Sequence, residues 1–383
     1  FKKLRIILPA HGKPQSLWKG RKKFMPELVC GNRLLIDGQL SCGGGGNRNI
    51  IIIKIQLRHN FEDIINIDNL LEAFKEFVKG KRGKHNVQEF SFQLMDNIFA
   101  LNAELLDHTY KHGGYRAFNI SDPKPRNIHK ASVRDRLLHH AIYRVLYPFF
   151  DKTFIADSFS CRIRKGTHKA LNQFRKFVYK VSKNNTRTCW VLKCDIRKFF
   201  ASIDHQILLN VLNSHISDKQ TIWLLQEIIE SFSTKPGTGL PLGNLTSQLF
   251  VNIYMNEFDQ FVKHRLKAKC YIRYADDFVI ISSNRKELEN FIPPIRNFFS
   301  EKLKLELHPQ KVFIKTLTSG VDFLGWVNFP DHRILRTTTK RRMIKRIKER
   351  PVAETLNSYL GLLSHGNTYK LREKITNAGF LDI

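Results

Sequence analysis

The sequence predicts an α+β protein, and three observations carry that expectation. Apolar residues recur at helical spacing over long segments, as in Leu70, Leu71, Phe74, Phe77 and Val78. Between such segments lie short β-branched and aromatic runs, such as Trp190-Val191-Leu192-Lys193-Cys194-Asp195, that read as strands. Most telling is Cys270-Tyr271-Ile272-Arg273-Tyr274-Ala275-Asp276-Asp277-Phe278-Val279-Ile280-Ile281, a strand, a tight turn and a second strand. Two adjacent carboxylates sit at its centre, where an apolar hairpin would want none. Adjacent Asp residues repel, and burying either without a partner is costly. A divalent cation relieves both costs, and hard carboxylate oxygens suit Mg²⁺.

Composition narrows the partners. At 383 residues the chain has room for two or three domains. Its 42% hydrophobic content and 29 Phe argue for folded cores. Lys and Arg number 64 against 34 Asp and Glu, a formal charge of +30 that attracts a polyanion, with nucleic acid as the default. No apolar run approaches the roughly 20 residues that span a bilayer, which argues against an integral membrane protein. The cysteines at 30, 42, 161, 189, 194 and 270 form no Cys-x-x-Cys pair, so they read as reduced cytoplasmic thiols.

In chain order, residues 1–57 stand apart. They hold Pro9, Pro14, Pro26 and the run Gly43–Gly46, with no sustained period. The chain opens on Phe1 and its first methionine is Met25, so this segment is expected to be either a basic arm without a fold or extraneous upstream translation. No apolar stretch leads to a small-residue cleavage site, so no signal peptide is expected. A helix follows from Asp68, and a second from about Val87 to Lys111 that ends at Gly113-Gly114. Tyr115–Ile120 and Arg126–Lys130 read as a strand pair, and Ser132 opens a helix running towards Pro148. The basic loop at Arg162, Arg164 and Gly166 leads to a helix around 170–183.

Asp195 closes the strand that starts at Trp190, and a helix starts near Asp204. Alone, Asp195 reads equally well as a helix cap. Two-metal chemistry, however, needs carboxylates from more than one strand, converging on ions about 3.5–4 Å apart. Asp195 facing the 276–277 turn would supply that. Between them Gly239-Leu240-Pro241-Leu242-Gly243-Asn244-Leu245-Thr246-Ser247-Gln248 leads into a helix over 249–267, with Thr246 or Ser247 as its expected cap. Further on come a helix over 286–302, strands near Phe313 and Val321–Phe329, and a basic helix over 340–348. In that last helix Met343, Ile344 and Ile347 form an apolar stripe.

Taken together, these blocks resemble the fingers, palm and thumb of a reverse transcriptase over roughly residues 60–383. The resemblance implies a right-hand polymerase with an antiparallel palm sheet packed on helices and a helical thumb. Its expected divisions are the atypical segment 1–57, N-terminal helices and fingers over 58–190, a palm over 191–333 and a thumb over 334–383. It implies that Asp195, Asp276 and Asp277, with the Ile196 carbonyl, hold two Mg²⁺ ions. Phe200 matches the gate that excludes a ribose 2′-hydroxyl. Lys124 and Arg126 match cations that hold the incoming triphosphate, and Lys311 matches a lysine near the leaving pyrophosphate. Arg162, Arg164 and Gly166 match a second fingers motif, and Phe323-Leu324-Gly325 the primer grip.

One departure is informative. Most reverse transcriptases carry Gln-Gly followed by Ser-Pro in the loop-to-helix motif. Here Leu242 precedes Gly243, and Gln248 replaces the proline. That pattern resembles the enzymes of bacterial diversity-generating retroelements, themselves group II intron-like. The resemblance then implies error-prone cDNA synthesis from a template RNA, chiefly mutagenic at adenines. The implied partners are template RNA, the RNA–DNA hybrid, dNTPs and a small basic accessory protein. The implied location is cytoplasmic, of bacterial or phage type. A group II intron-like or defence-associated reverse transcriptase is the alternative, and a non-catalytic RNA-binding maturase or scaffold is the second.

Overall fold

A computed structural model describes residues 33–34, 53–121 and 125–377. Two compact units divide the chain at Ile55 and Gln56. In the first, β1 (Arg33–Leu34) pairs antiparallel with β2 (Ile53–Lys54). The other features on which the expectation for residues 1–57 rests lie outside the described residues. The second unit already includes Leu57, which is buried and donates its N–H to the His215 carbonyl at 2.7 Å.

The second unit opens with α1 (Phe61–Ile65), α2 (Ile67–Phe77), α3 (His85–Phe92) and α4 (Leu94–Leu106). The single helix expected over 87–111 is therefore two. The chain breaks at Gln93, with ψ at 45°. The Phe90 carbonyl near the end of α3 is met by the Asn97 side chain at 3.0 Å, so the break leaves no orphan there. The strands β3 (Arg116–Ile120) and β4 (Arg126–Lys130) form an antiparallel hairpin. Ser132 caps α5 (Val133–Thr153), which continues through Pro148 instead of ending there. Burial of Tyr147 and Phe150 offsets the hydrogen bond that proline removes.

Next come α6 (Thr167–Val181), β5 (Trp190–Asp195), a 3₁₀ turn over Phe199–Ser202, α7 (His205–Asn213) capped by Asp204, and α8 (Lys219–Glu230) capped by Asp218. Helix α9 (Leu245–Gln260) begins earlier than expected. Its cap position is Asn244, while Thr246 and Ser247 are buried inside the helix. The strands β6 (Tyr271–Tyr274) and β7 (Asp277–Ser282) precede α10 (Arg285–Lys302) and β8 (Phe313–Thr316). The short strands β9 (Val321–Phe323), β10 (Trp326–Asn328) and β11 (Arg333–Leu335) form a separate meander. The helices α11 (Thr337–Glu349), α12 (Ala353–Leu363) and α13 (Tyr369–Asn377) follow. Gly366, in the turn after α12, lies so close to Trp326 that a Cβ there would meet the ring at 2.1 Å. Among the described residues no helix is long and apolar enough to cross a membrane.

The α+β architecture is organised by one four-stranded antiparallel sheet in the order β6-β7-β5-β8. Alternation along its strands feeds two cores. Leu192, Cys194, Tyr271, Phe278 and Ile280 face the larger core, shared with α5, α7, α9 and α10. Val191, Ile272, Val279 and Ile281 face the smaller one, shared with α6, the meander and the C-terminal helices. Met343 and Ile347 of α11 are buried in that second core, with Ile344 packed at its margin.

The sheet is pinned to α9 by a buried ion pair. The Arg273 guanidinium grips Asp259 at 2.8 Å and 2.7 Å, and both side chains are fully buried. Tyr271 donates to the same carboxylate at 2.7 Å, and Arg273 also reaches Asn252 and the Ala275 carbonyl. Removing one member leaves an uncompensated buried charge. Arg273→Met should lower stability by about 3–5 kcal/mol, read as a reduced urea midpoint. The double variant with Asp259→Leu should recover part of that loss; an unchanged midpoint in the single variant would remove the pair from the stability of the fold.

Candidate active site

Register places the acids. In the β5–β7 ladder Asp195 is the Cα partner of Asp277, and in the β6–β7 ladder Asp277 pairs with Tyr274. The turn between is only Ala275 and Asp276, with Ala275 forced to φ 56°. Three carboxylates thus converge at one end of the sheet. The backbone then binds the loop before β8. The Asp195 carbonyl accepts from His308 N–H at 2.8 Å, and the Arg197 N–H donates to Glu306 at 2.9 Å. Ile196 and Leu307 are the non-bonded pair between those two bonds, so the Ile196 carbonyl is directed away from Leu307.

Electrostatics mark the cluster as strained. Burial, then Asp195, raises Asp276 above the usual carboxylate range, while Arg126 and Lys311 oppose the shift. Asp277 is pushed up to about 7 by burial and by Asp195 and Asp276, against the pull of Lys193. The Lys193 ammonium lies 3.3 Å from Asp277 Oδ2 and donates to the Asp322 carbonyl at 2.8 Å. Lys311 is ion-paired with Asp195. Among the described residues no three His, Cys, Asp or Glu side chains are gathered around one point as a ready metal cage. Two of the three acids are paired with lysines instead. The donor set still fits a hard divalent cation: Asp277 Oδ1 is buried without any partner, and every candidate ligand is an oxygen.

The remaining predicted residues fall into three groups. Arg126 and Lys311 lie close enough to act on Asp276, whereas Lys124 is outside the described residues. The loop before α9 forms a second cluster. The half-buried Phe200 packs edge-on against Phe199, and its carbonyl accepts from Leu240 N–H at 2.8 Å. The Leu242 carbonyl accepts from His129 N–H on β4 at 3.0 Å. Gly243 sits at φ 112°, and a Cβ there would meet Ile128 at 2.8 Å, so only glycine allows this approach. Gln248 is half-buried in the first turn of α9. The third group lies at the loop before α6 and at the β9–β10 turn. Arg164 is exposed there, and Gly166 takes the cap position of α6. Arg162 differs from expectation. Its side chain is 6% exposed and bonded to Asp151 and to the carbonyls of Ile155 and Ser158. It therefore ties the loop together and has little left to offer a phosphate. Phe323 is buried, while Leu324 and Gly325 form the turn with φ 52° and 88°.

Three residues escaped the sequence reading. Lys193 and Arg273 are lone cations within apolar strands, which is the sequence signal that marks them. Asn244 was the third. Its side chain leaves the cap of α9 unmade and reaches the His129 carbonyl at 3.2 Å.

An antiparallel sheet with acids at one end, overhung by a basic hairpin and followed by a helical bundle, is the palm of a right-hand polymerase. The family model for Reverse transcriptase (RNA-dependent DNA polymerase) matches residues 116–327, and the chain belongs to that family. Protein YkfC of Escherichia coli K12 is 26% identical over 280 residues, 63% of this chain and 71% of YkfC. The group II intron-encoded protein LtrA of Lactococcus lactis subsp. cremoris is 24% identical over 339 residues. That match takes in 70% of this chain and 54% of LtrA, so the chain spans about half of that relative. Among solved structures, apo telomerase from Candida tropicalis, truncated from its C-terminal domain, overlays with a TM-score of 0.44 at 14% identity. The overlay covers 63% of this chain and 60% of that one.

The raised Asp277 has a consequence for the metal-free protein. Its folded-state value, about 7, lies above the ordinary 3.8, so between those values the folded chain holds a proton that the unfolded chain has lost. Stability therefore falls as pH climbs through that window. In EDTA, Asp277→Asn should be more stable than wild type at about pH 8 and lose that advantage towards about pH 4. Urea midpoints across that range check it, and parallel curves would take Asp277 out of the titration.

Proposed function

We propose that this chain is an RNA-directed DNA polymerase that copies a template RNA into cDNA, and that it serves a diversity-generating retroelement. The observation that carries the catalytic reading is the register that sets Asp195 against Asp277 beside the Asp276 turn, with Asp277 Oδ1 buried and unpartnered. Asp195, Asp276, Asp277 and the Ile196 carbonyl would hold two Mg²⁺ ions, which when bound acidify the primer 3′-hydroxyl and stabilise the leaving pyrophosphate. Arg126 and Lys124 would neutralise the dNTP triphosphate, with Lys311 on the pyrophosphate side. Phe200 would wall off the ribose 2′ position. Arg164, Gly166 and the Phe323–Gly325 turn would seat template and primer, with most affinity coming from phosphate contacts and falling with salt. The RNA–DNA hybrid would be held largely through backbone and shape.

Leu242 supports the retroelement assignment. Glutamine there could brace the nascent base pair with both a donor and an acceptor, whereas leucine offers only packing. A poorly formed pair then loses less, and selectivity falls. This reading includes a small basic accessory protein and a cytoplasmic bacterial or phage setting. A second reading, a group II intron-like enzyme, is favoured by the likeness to LtrA. The retained acids weigh against a purely structural maturase or scaffold.

Primer extension on an RNA template, with the cDNA sequenced, tests both layers. Asp277→Asn should abolish cDNA synthesis and leave RNA binding close to wild type; near-normal extension would overturn the catalytic assignment. Assayed both without and with a small basic accessory protein, wild type should misincorporate chiefly opposite template adenine in at least one of the two conditions. One polar contact is worth about 0.5–1.5 kcal/mol, so Leu242→Gln should lower the error roughly 2- to 13-fold. A wild type that is faithful under both conditions would leave the polymerase and remove the retroelement.

A further inference from the structure

Helix α4 is apolar on two faces, and only one is covered. Ile98, Leu101 and Leu105 are fully buried against the larger core. Met95, Phe99 and Leu106, spaced by four and seven residues, form a second stripe that is 42%, 53% and 57% exposed. Phe92, at the end of α3 just before, is 90% exposed. A helix apolar beyond a single stripe belongs in a buried setting. Contiguous exposed apolar surface of this kind marks an interaction site.

Charge identifies the partner. In a chain with 64 Lys and Arg, residues 85–110 contain none, and they carry Glu89, Asp96, Glu104 and Asp107. Glu104 is paired with Arg134, but Asp96 and Asp107 have no ion-pair partner among the described residues. On the helical wheel both flank the Met95–Phe99–Leu106 stripe on the same side. Asp107 is also the C-cap of α4, where a negative charge works against the helix dipole. Its charge therefore does not serve the helix itself. An acidic rim repels phosphate, so this face is unsuited to RNA, the ligand that the rest of the basic surface would attract.

We propose that the Phe92–Leu106 face docks a basic protein that presents an amphipathic helix, its apolar side on Met95, Phe99 and Leu106 and its cations on Asp96 and Asp107. This deepens the accessory-protein part of the function proposed above and rests on that part alone. The assay is fluorescence anisotropy of the full chain with a synthetic amphipathic Leu/Lys helix, against a Leu/Glu counterpart. Binding of the Leu/Lys peptide should weaken roughly tenfold or more in Met95→Ser/Phe99→Ser and in Asp96→Lys/Asp107→Lys. Urea midpoints should change little, since these side chains are exposed and in the charge-reversed variant the loss at Asp96, in the first turn of α4, opposes the gain at Asp107, its C-cap. No binding by wild type, or equal binding by the variants, would overturn the proposal. So would an equal loss of the Leu/Glu peptide in the charge-reversed variant, since the acids then select nothing. A wild-type dimer that Met95→Ser/Phe99→Ser converts to monomer would give the face to a second copy instead. Leu/Lys binding that emerges only once residues 1–55 are deleted would give it to the chain's own segment. Primer extension on the same preparations reports the polymerase reading separately.

Discussion

The buried Arg273–Asp259 pair is the constraint on which the acidic end of the sheet depends. Neither side chain has any solvent exposure, so burial works against both charges, and their bidentate contact, aided by Tyr271 on the carboxylate and by Asn252 and the Ala275 carbonyl on the guanidinium, offsets it. The same guanidinium reaches the Ala275 carbonyl in the turn that carries Asp276, and Asn252 on α9. Asn252 in turn donates to the Ser160 carbonyl, and the Arg273 backbone bonds Asp157 and Phe159 on either side. One cation thereby sets the height of a two-residue turn relative to a helix and a loop. A turn this short tolerates little error, because its first residue already sits at positive φ.

Around that frame the site balances charge with charge. Three carboxylates share one sheet end; Lys193 pairs with Asp277, Lys311 pairs with Asp195, and Arg126 opposes the charge of Asp276, each cation coming from a different element. Lys193 does more than neutralise. By donating to the Asp322 carbonyl it connects the central strand of the sheet to the meander whose turn is Leu324 and Gly325. The acids and the Leu324–Gly325 turn are therefore linked through a buried ammonium, and neither can shift far without exposing it.

The loop before α9 performs a similar joining. Its backbone bonds Phe200 through Leu240, Ile203 through Gly239 and His129 through Leu242. Asn244 adds a side-chain bond to the His129 carbonyl, leaving the start of α9 without a side-chain cap. The β3–β4 hairpin, the Phe200 turn and α9 are thus fastened at one short segment, which accounts for the glycine at 243. Leu242 sits within it, half-buried, where a change of side chain alters packing without cutting the backbone bonds.

Much of this was legible in the sequence, because local pattern and chemistry pointed the same way. Apolar period marked α2, and helices were expected where α5 and α10 lie. The hairpin chemistry of Tyr271–Ile281 marked the turn, and adjacent acids in an apolar run marked the site. Elsewhere a contact beyond the local preference decided the outcome: the Asn97 side chain, seven residues on, satisfies the carbonyl at the break after α3, packing carries α5 through Pro148, and Asn244 gives up its capping bond to reach β4. Arg162 matches a fingers motif in sequence, but residue type alone does not reveal that Asp151 and the carbonyls of Ile155 and Ser158 take up its guanidinium. The sequence by itself determined the fold class, the identity of the acids and the overall basic charge, since these follow from residue type and short-range spacing. Only the tertiary structure decided which charges meet. That Asp195 faces Asp277, that Lys193 bridges the acids to the Asp322 strand and that one face of α4 stays uncovered all depend on register and packing between residues far apart in the chain.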